Sequence, residues 1–149
     1  MRTFIILTFL VLLPGITAAY PHHSLHWNAR TLVFFLPEDV AQQRQLMKEV
    51  LFNQCQLTAR DVDIYLADNN NTSPKELLVN KQRQTTLPDN FHALKLSSPD
   101  YQAVLIGKDG EVKHRWQHAI DWQELNTIID AMPMRKREIQ NGQRRHCNI

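Results

Sequence analysis

Cysteine is scarce in this chain: two in 149 residues, Cys55 and Cys147. They are too far apart to form a C-x-x-C dithiol motif, and two do not make a dense disulfide framework. Only four glycines occur, and none belongs to a phosphate-binding glycine loop. Serines are few and none sits in a nucleophile elbow, so no Ser-His-Asp arrangement can be argued. The formal net charge is only +2, which steers the chain toward no polyanion, nucleic acid included. Beyond residue 13 no second long apolar run follows. No cofactor is implied.

What is present begins with a leader. Arg2 gives a positive start, Phe4 to Leu13 is an apolar run, Pro14-Gly15 breaks it, and Thr17-Ala18-Ala19 offers small residues before Tyr20. These features describe a signal peptide over 1–19, with a retained anchor as the alternative. The mature protein is then exported to the periplasm or the extracellular space, with no stable membrane anchor after cleavage. Residues 20–28 form a polar arm carrying His22, His23 and His26. Pro21 has no amide proton to lose, which rules out an amino-terminal copper site. The three histidines remain weak ligands for Cu(II) or Zn(II), or simply part of a polar arm. Asn70-Asn71-Thr72 and Asn71-Thr72-Ser73 match the glycosylation sequon and read as a loop.

Between Ala29 and Pro133 the pattern is that of one α/β domain. Thr31-Leu32-Val33-Phe34-Phe35-Leu36 reads as a strand buried on both faces. Glu38 and Asp39 open a helix whose apolar stripe is expected at Leu46, Met47, Val50, Leu51 and Cys55, with the Cys55 thiol inward. Asp61 to Leu66 is a second strand. Ser73-Pro74-Lys75-Glu76 has the form of a capping box with proline at the first helical position and predicts a helix there. Asp89 caps a short helix through Phe91 and Leu94. Asp109-Gly110 between two β-prone runs predicts a hairpin. On its second strand Val112, His114 and Trp116 alternate with Lys113 and Arg115, which suits either an edge strand protected by cations or a binding face. Asp121 and Glu124 start a last helix along Trp122, Leu125, Ile128, Ile129 and Met132, and Pro133 stops it. The tail, 134–149, carries Arg135, Lys136, Arg137, Arg144 and Arg145 against one acid, Glu138. It reads as a solvated extension or as a contact for an anionic surface.

Gly107-Lys108-Asp109-Gly110-Glu111-Val112-Lys113 resembles the ββα half of thioredoxin-like proteins. Together with Leu32-Val33-Phe34-Phe35 and Ile129 to Glu138, it makes the chain similar to one family of exported bacterial proteins of unknown function. Their thioredoxin-like domain is shared with vertebrate extracellular proteins of the sushi-repeat-containing and Equarin type. The resemblance covers roughly Ala29 to Glu138. It implies a single thioredoxin-like domain, βαβ then ββα, and an exported compartment, and it carries over no catalytic residues. Thioredoxins place their reactive thiol where the first strand meets the first helix, because the helix N-terminus favours the thiolate. Here that position reads Leu36-Pro37-Glu38-Asp39-Val40-Ala41, with two carboxylates and no cysteine.

The sequence therefore favours a non-enzymatic exported domain that binds a protein or surface partner. The alternative is a thiol-dependent oxidoreductase or peroxidase using Cys55 and Cys147. The same two cysteines can instead form a structural bridge, for which the chain-entropy argument gives about 4–5 kcal/mol, or remain a buried thiol and a loose one.

Overall fold

The apolar run over 31–36 forms the middle of the sheet. In the computed structural model, which describes residues 29–67, 75–78, 91–95 and 101–142, β1 (Arg30–Phe35) is buried at every residue. A 20-residue helix, α1 (Val40–Ala59), leads from it to β2 (Val62–Ala67), which lies parallel to β1. β3 (Lys75–Leu78) pairs antiparallel with β2, and β4 (Gln102–Ile106) antiparallel with β1. β5 (Val112–Trp116) closes the five-stranded sheet in the order β3-β2-β1-β4-β5, so the βαβ and ββα units expected from the pattern are both present. The leader, the histidine arm, the sequon, Arg144, Arg145 and Cys147 all lie outside the described residues.

Strand alternation splits the core in two. Leu32, Phe34, Ile64, Leu66, Ala103 and Leu105 face one side, where α1 and α2 (Trp122–Ala131) cover them with Leu46, Val50, Leu57, Leu125 and Ile129. Val33, Phe35, Ala67, Val104 and Ile106 face the other, with Phe91 stacked on Phe35 at 6.4 Å. Phe91 opens the 3-10 turn Phe91–Leu94, a tighter form of the short helix expected there. Asp39 caps α1 through the Ala41 amide, and Asp121 caps α2 through Gln123 and Glu124. In the hairpin, Gly107 and Glu111 close a three-residue loop, and Gly110 takes the left-handed conformation at φ 79°.

Three expectations need correction. Lys75–Leu78 is a strand, not a helix. The local capping signal loses to the outer edge of β2, which needs partners for its backbone groups, and Leu77 packs against the helix-side core. The buried stripe of α1 runs through Leu46, Val50 and Leu57, while Leu51 is 63% exposed and Cys55 points outward. A polar residue, Asn53, takes a half-buried place on the inner side by donating to the Glu49 carbonyl at 2.8 Å. Finally, Pro133 does not end the helical region. It forces Met132 into an extended conformation and then serves as the first residue of α3 (Pro133–Gln140).

α3 brings a carboxylate to the lower end of the sheet, where it meets a buried cation. The Arg30 guanidinium is 1% exposed. It donates to both oxygens of Glu138, at 3.1 and 3.3 Å, and to the Arg60 carbonyl at the end of α1, at 2.7 Å. Lys108, from the hairpin turn, reaches Glu138 at 2.8 Å and Asp61 at 3.2 Å. Arg135 touches Glu138 and Asp130, both at 3.4 Å, and Arg60 clamps Asp130 through two bonds. Asp61 holds a left-handed backbone, φ 53°, as it turns the chain from α1 into β2. One ion network thus joins β1, α1, the hairpin, α2 and α3. Burial pushes the Glu138 carboxyl up, but hydrogen bonds and charge from Lys108 and Arg30 outweigh it and hold the group below the usual carboxylate range.

Removing one partner of a buried pair leaves the other charge uncompensated. Glu138→Gln is expected to cost about 3–5 kcal/mol in urea unfolding, and truncation after Pro133 at least as much. Because the folded pKa of Glu138 is depressed, its contribution is complete above the unfolded value, near 4.3, and is lost as pH falls through the folded value. Glu138→Gln should therefore flatten the acid limb of stability against pH; an unchanged limb would remove Glu138 from this role. Gly110→Ala forces a side chain into a left-handed turn and is expected to cost about 1 kcal/mol, read as a lower urea midpoint.

Candidate functional site

Two regions can be examined for chemistry: the junction of β1 and α1, and the outer seam between α1 and α2. At the junction Pro37 is buried, while Glu38, Asp39 and Val40 are exposed. The Asp39 carboxylate takes the helix N-terminus for itself by accepting from Ala41 at 2.8 Å. Nearby, the Tyr101 ring lies 6.4 Å from that of Phe34. Burial pushes the Tyr101 phenol up, the backbone at Ile120 offsets part of this, and the Glu49 carboxylate adds to the rise. The phenol is thus held neutral and is no base at physiological pH.

The seam between α1 and α2 opens into a groove of ≈ 760 Å³. Phe52, Cys55 and Gln56 line it from α1, and Trp122, Asn126 and Asp130 from α2. Trp122 is fixed by its indole N–H on Glu49 at 3.1 Å and packs on Phe34 at 6.3 Å. Phe52 is 89% exposed. Asp130 is held by Arg60, which leaves the carboxylate engaged. Cys55 is disulfide-bonded, and among the described residues there is no free cysteine. The groove thus combines aromatic surface, amides and a bonded sulfur. Among the described residues that line it there is no nucleophile with an adjacent base.

The cations that the sequence offered for a partner are divided by the fold. Arg135 is buried in the ion network and is no surface cation. Its place in the first turn of α3 sets it against Asp130 and Glu138. Lys136 and Arg137 are exposed on α3, and Arg144 and Arg145 lie outside the described residues. On the hairpin, Lys113 lies between Asp109 at 2.5 Å and Glu111 at 2.8 Å, and Arg115 donates to the Leu94 carbonyl. The His114 and Trp116 rings are 4.4 Å apart, and the Trp116 indole donates to Glu124 at 2.8 Å. Lys113, Arg115 and Trp116 are engaged in the domain's own contacts, while Val112 on the same strand is exposed. No group of His, Cys, Asp and Glu among the described residues could hold a metal ion, and His22, His23 and His26 lie outside them. No described helix is long and apolar enough to cross a membrane.

The residues missed at the level of sequence were Arg30 and Glu138. A signal for each existed: an arginine opening a continuous apolar run, and the lone acid in an otherwise basic segment.

If Cys55 is bonded and exposed, alkylation with a thiol reagent should leave the folded chain unlabelled until a reductant is added, as read by intact mass. Labelling at Cys55 without reductant would contradict the bonded state.

No curated protein and no solved structure matches the chain. Residues 21–138 match a family described as a domain of unknown function, DUF4174, and that match ends on Glu138, the residue that locks α3 to β1. Since the match spans most of its length, the chain belongs to the DUF4174 family.

Proposed function

We propose that this protein is an exported, thioredoxin-like domain that works by binding a protein or envelope partner and not by catalysis. The observation that carries the reading is the junction of β1 and α1. Asp39 caps the helix there, in the place where thiol chemistry on such a fold would need its cysteine. The central β1, its parallel partner β2 and the β4–β5 hairpin followed by α2 support the thioredoxin-like assignment. The signal-like leader supports export. The exposed Leu51 and Phe52 beside the α1–α2 groove, and the exposed Lys136 and Arg137, supply apolar and cationic contact surface.

Insulin reduction and peroxide consumption by the purified chain beginning at Tyr20 test this reading. Rates at background are expected for the wild type and for Cys55→Ser alike. Turnover that disappears in Cys55→Ser would replace the binding reading with a thiol-dependent enzyme. Export is checked separately by N-terminal sequencing of protein recovered from the envelope. A chain starting at Tyr20 is expected, and an intact Met1 on protein released only by detergent would mean an anchor.

A further inference from the structure

We infer that the groove between α1 and α2 is a binding site for a short neutral saccharide. The Trp122 and Phe52 rings receive the C–H face of the sugar, and carboxamides from both helices meet its hydroxyls. This names a ligand class for the binding reading above and rests on that reading.

Each helix brings two carboxamides to the groove. On α1 they are Asn53 and Gln56, and on α2 Gln123 and Asn126. Residues three apart lie on one face of a helix, so each pair makes a polar row along the seam. The pair on α1 is already oriented. Asn53 donates through Nδ2 to the Glu49 carbonyl at 2.8 Å, and Gln56 accepts through Oε1 from the Arg60 guanidinium at 2.6 Å. The Asn53 oxygen and the Gln56 amide nitrogen remain for a ligand, an acceptor and a donor about one turn apart. A carboxamide both donates and accepts, and so does a hydroxyl. Facing rows of carboxamides therefore match a polyol.

The aromatic part is equally well placed. Trp122 is held at one end of the groove by Glu49, and Asp130 at the other by Arg60. From Glu49 to Arg60 α1 rises about 16 Å, and the volume of ≈ 760 Å³ is that of a small-ligand pocket. The bond to Glu49 and the packing on Phe34 at 6.3 Å fix the Trp122 ring, so presenting it to a ligand requires no further ordering. Phe52 lines the same groove and is 89% exposed, so its ring plays no part in the core. An aromatic ring offers an apolar face rich in electrons. The C–H side of a pyranose can cover that face while its hydroxyls reach past it to the amides.

Other ligand classes fit this lining less well. Among the described residues no Lys, Arg or His lines the groove, and its carboxylate, Asp130, is clamped by Arg60. Charge there selects neither an anion nor a cation. An apolar helix laid in the seam would bury the carboxamides without partners, which is unfavourable. An extended peptide that adds as a strand needs the unpaired backbone groups of a sheet edge, whereas the backbone groups of α1 and α2 are bonded within the helices. The bonded Cys55 adds a fixed wall and no thiol.

Saturation-transfer-difference NMR on the purified protein tests the site, with maltotriose, cellotriose and triacetylchitotriose as probes. Transfer to the ring C–H protons of at least one probe is expected, with a Kd of about 1 mM. Phe52→Ala and Asn126→Ala are each expected to weaken that binding at least about fivefold, with far-UV circular dichroism unchanged. No transfer to any of the trisaccharides, or binding that both variants leave unaltered, would overturn the site. Equal transfer to an uncharged peptide, acetyl-tetra-alanine amide, would overturn the choice of a saccharide. The redox assays above judge the binding reading separately. Background rates in them, combined with no transfer here, would remove the saccharide and leave that reading standing.

Discussion

The salt link between Arg30 and Glu138 ties the two ends of the domain together. Arg30 is the first residue of the central strand, and Glu138 sits on the last helix. A guanidinium at 1% exposure is tolerable only if most of its donors are met. Glu138 meets two and the Arg60 carbonyl a third, all through the two terminal nitrogens; Nε is buried without a partner, and Lys108 shares the carboxylate. That requirement fixes the hairpin turn, the end of α1 and the position of α3 together. It also explains why an eight-residue helix rich in charge forms at all. Its stability comes from docking and not from propensity.

Much of this fold can be read in the sequence, and the residues show why. β1 declared itself through six residues with no polar interruption after Thr31, the hairpin through Asp109-Gly110, and α2 through Asp121 and the spacing of Leu125 and Ile129. Each is a local pattern with a local cause. The failures share the opposite property. Lys75–Leu78 became a strand because β2 offered an unfilled edge, which no window around residue 75 reveals. Pro133 looked like a stop because the cation that holds α3 lies more than a hundred residues away at Arg30. Cys55 was assigned inward because apolar spacing in α1 is ambiguous, and the polar Asn53 took an inner position that a purely hydrophobic reading gives to its neighbours.

For the candidate site the same division applies. The carboxylates that open α1 were legible, and Asp39 is the one that caps it. The groove was not, because it depends on the distance between two helices far apart in the chain. Arg135 shows the hazard of reading charge runs as surface. A cation among cations looks solvated until one acid three residues on turns both inward.

One buried ion pair closes the domain. A double-mutant cycle over Arg30→Met and Glu138→Leu measures it most directly. Glu138→Leu leaves Arg30 without its carboxylate and Arg30→Met leaves Glu138 to Lys108 and Arg135, whereas the double change removes the pair itself. Each single variant is expected to lose about 3–5 kcal/mol and the double variant clearly less than their sum. Single losses under about 1 kcal/mol that simply add would place the pair at the surface energetically and contradict the account.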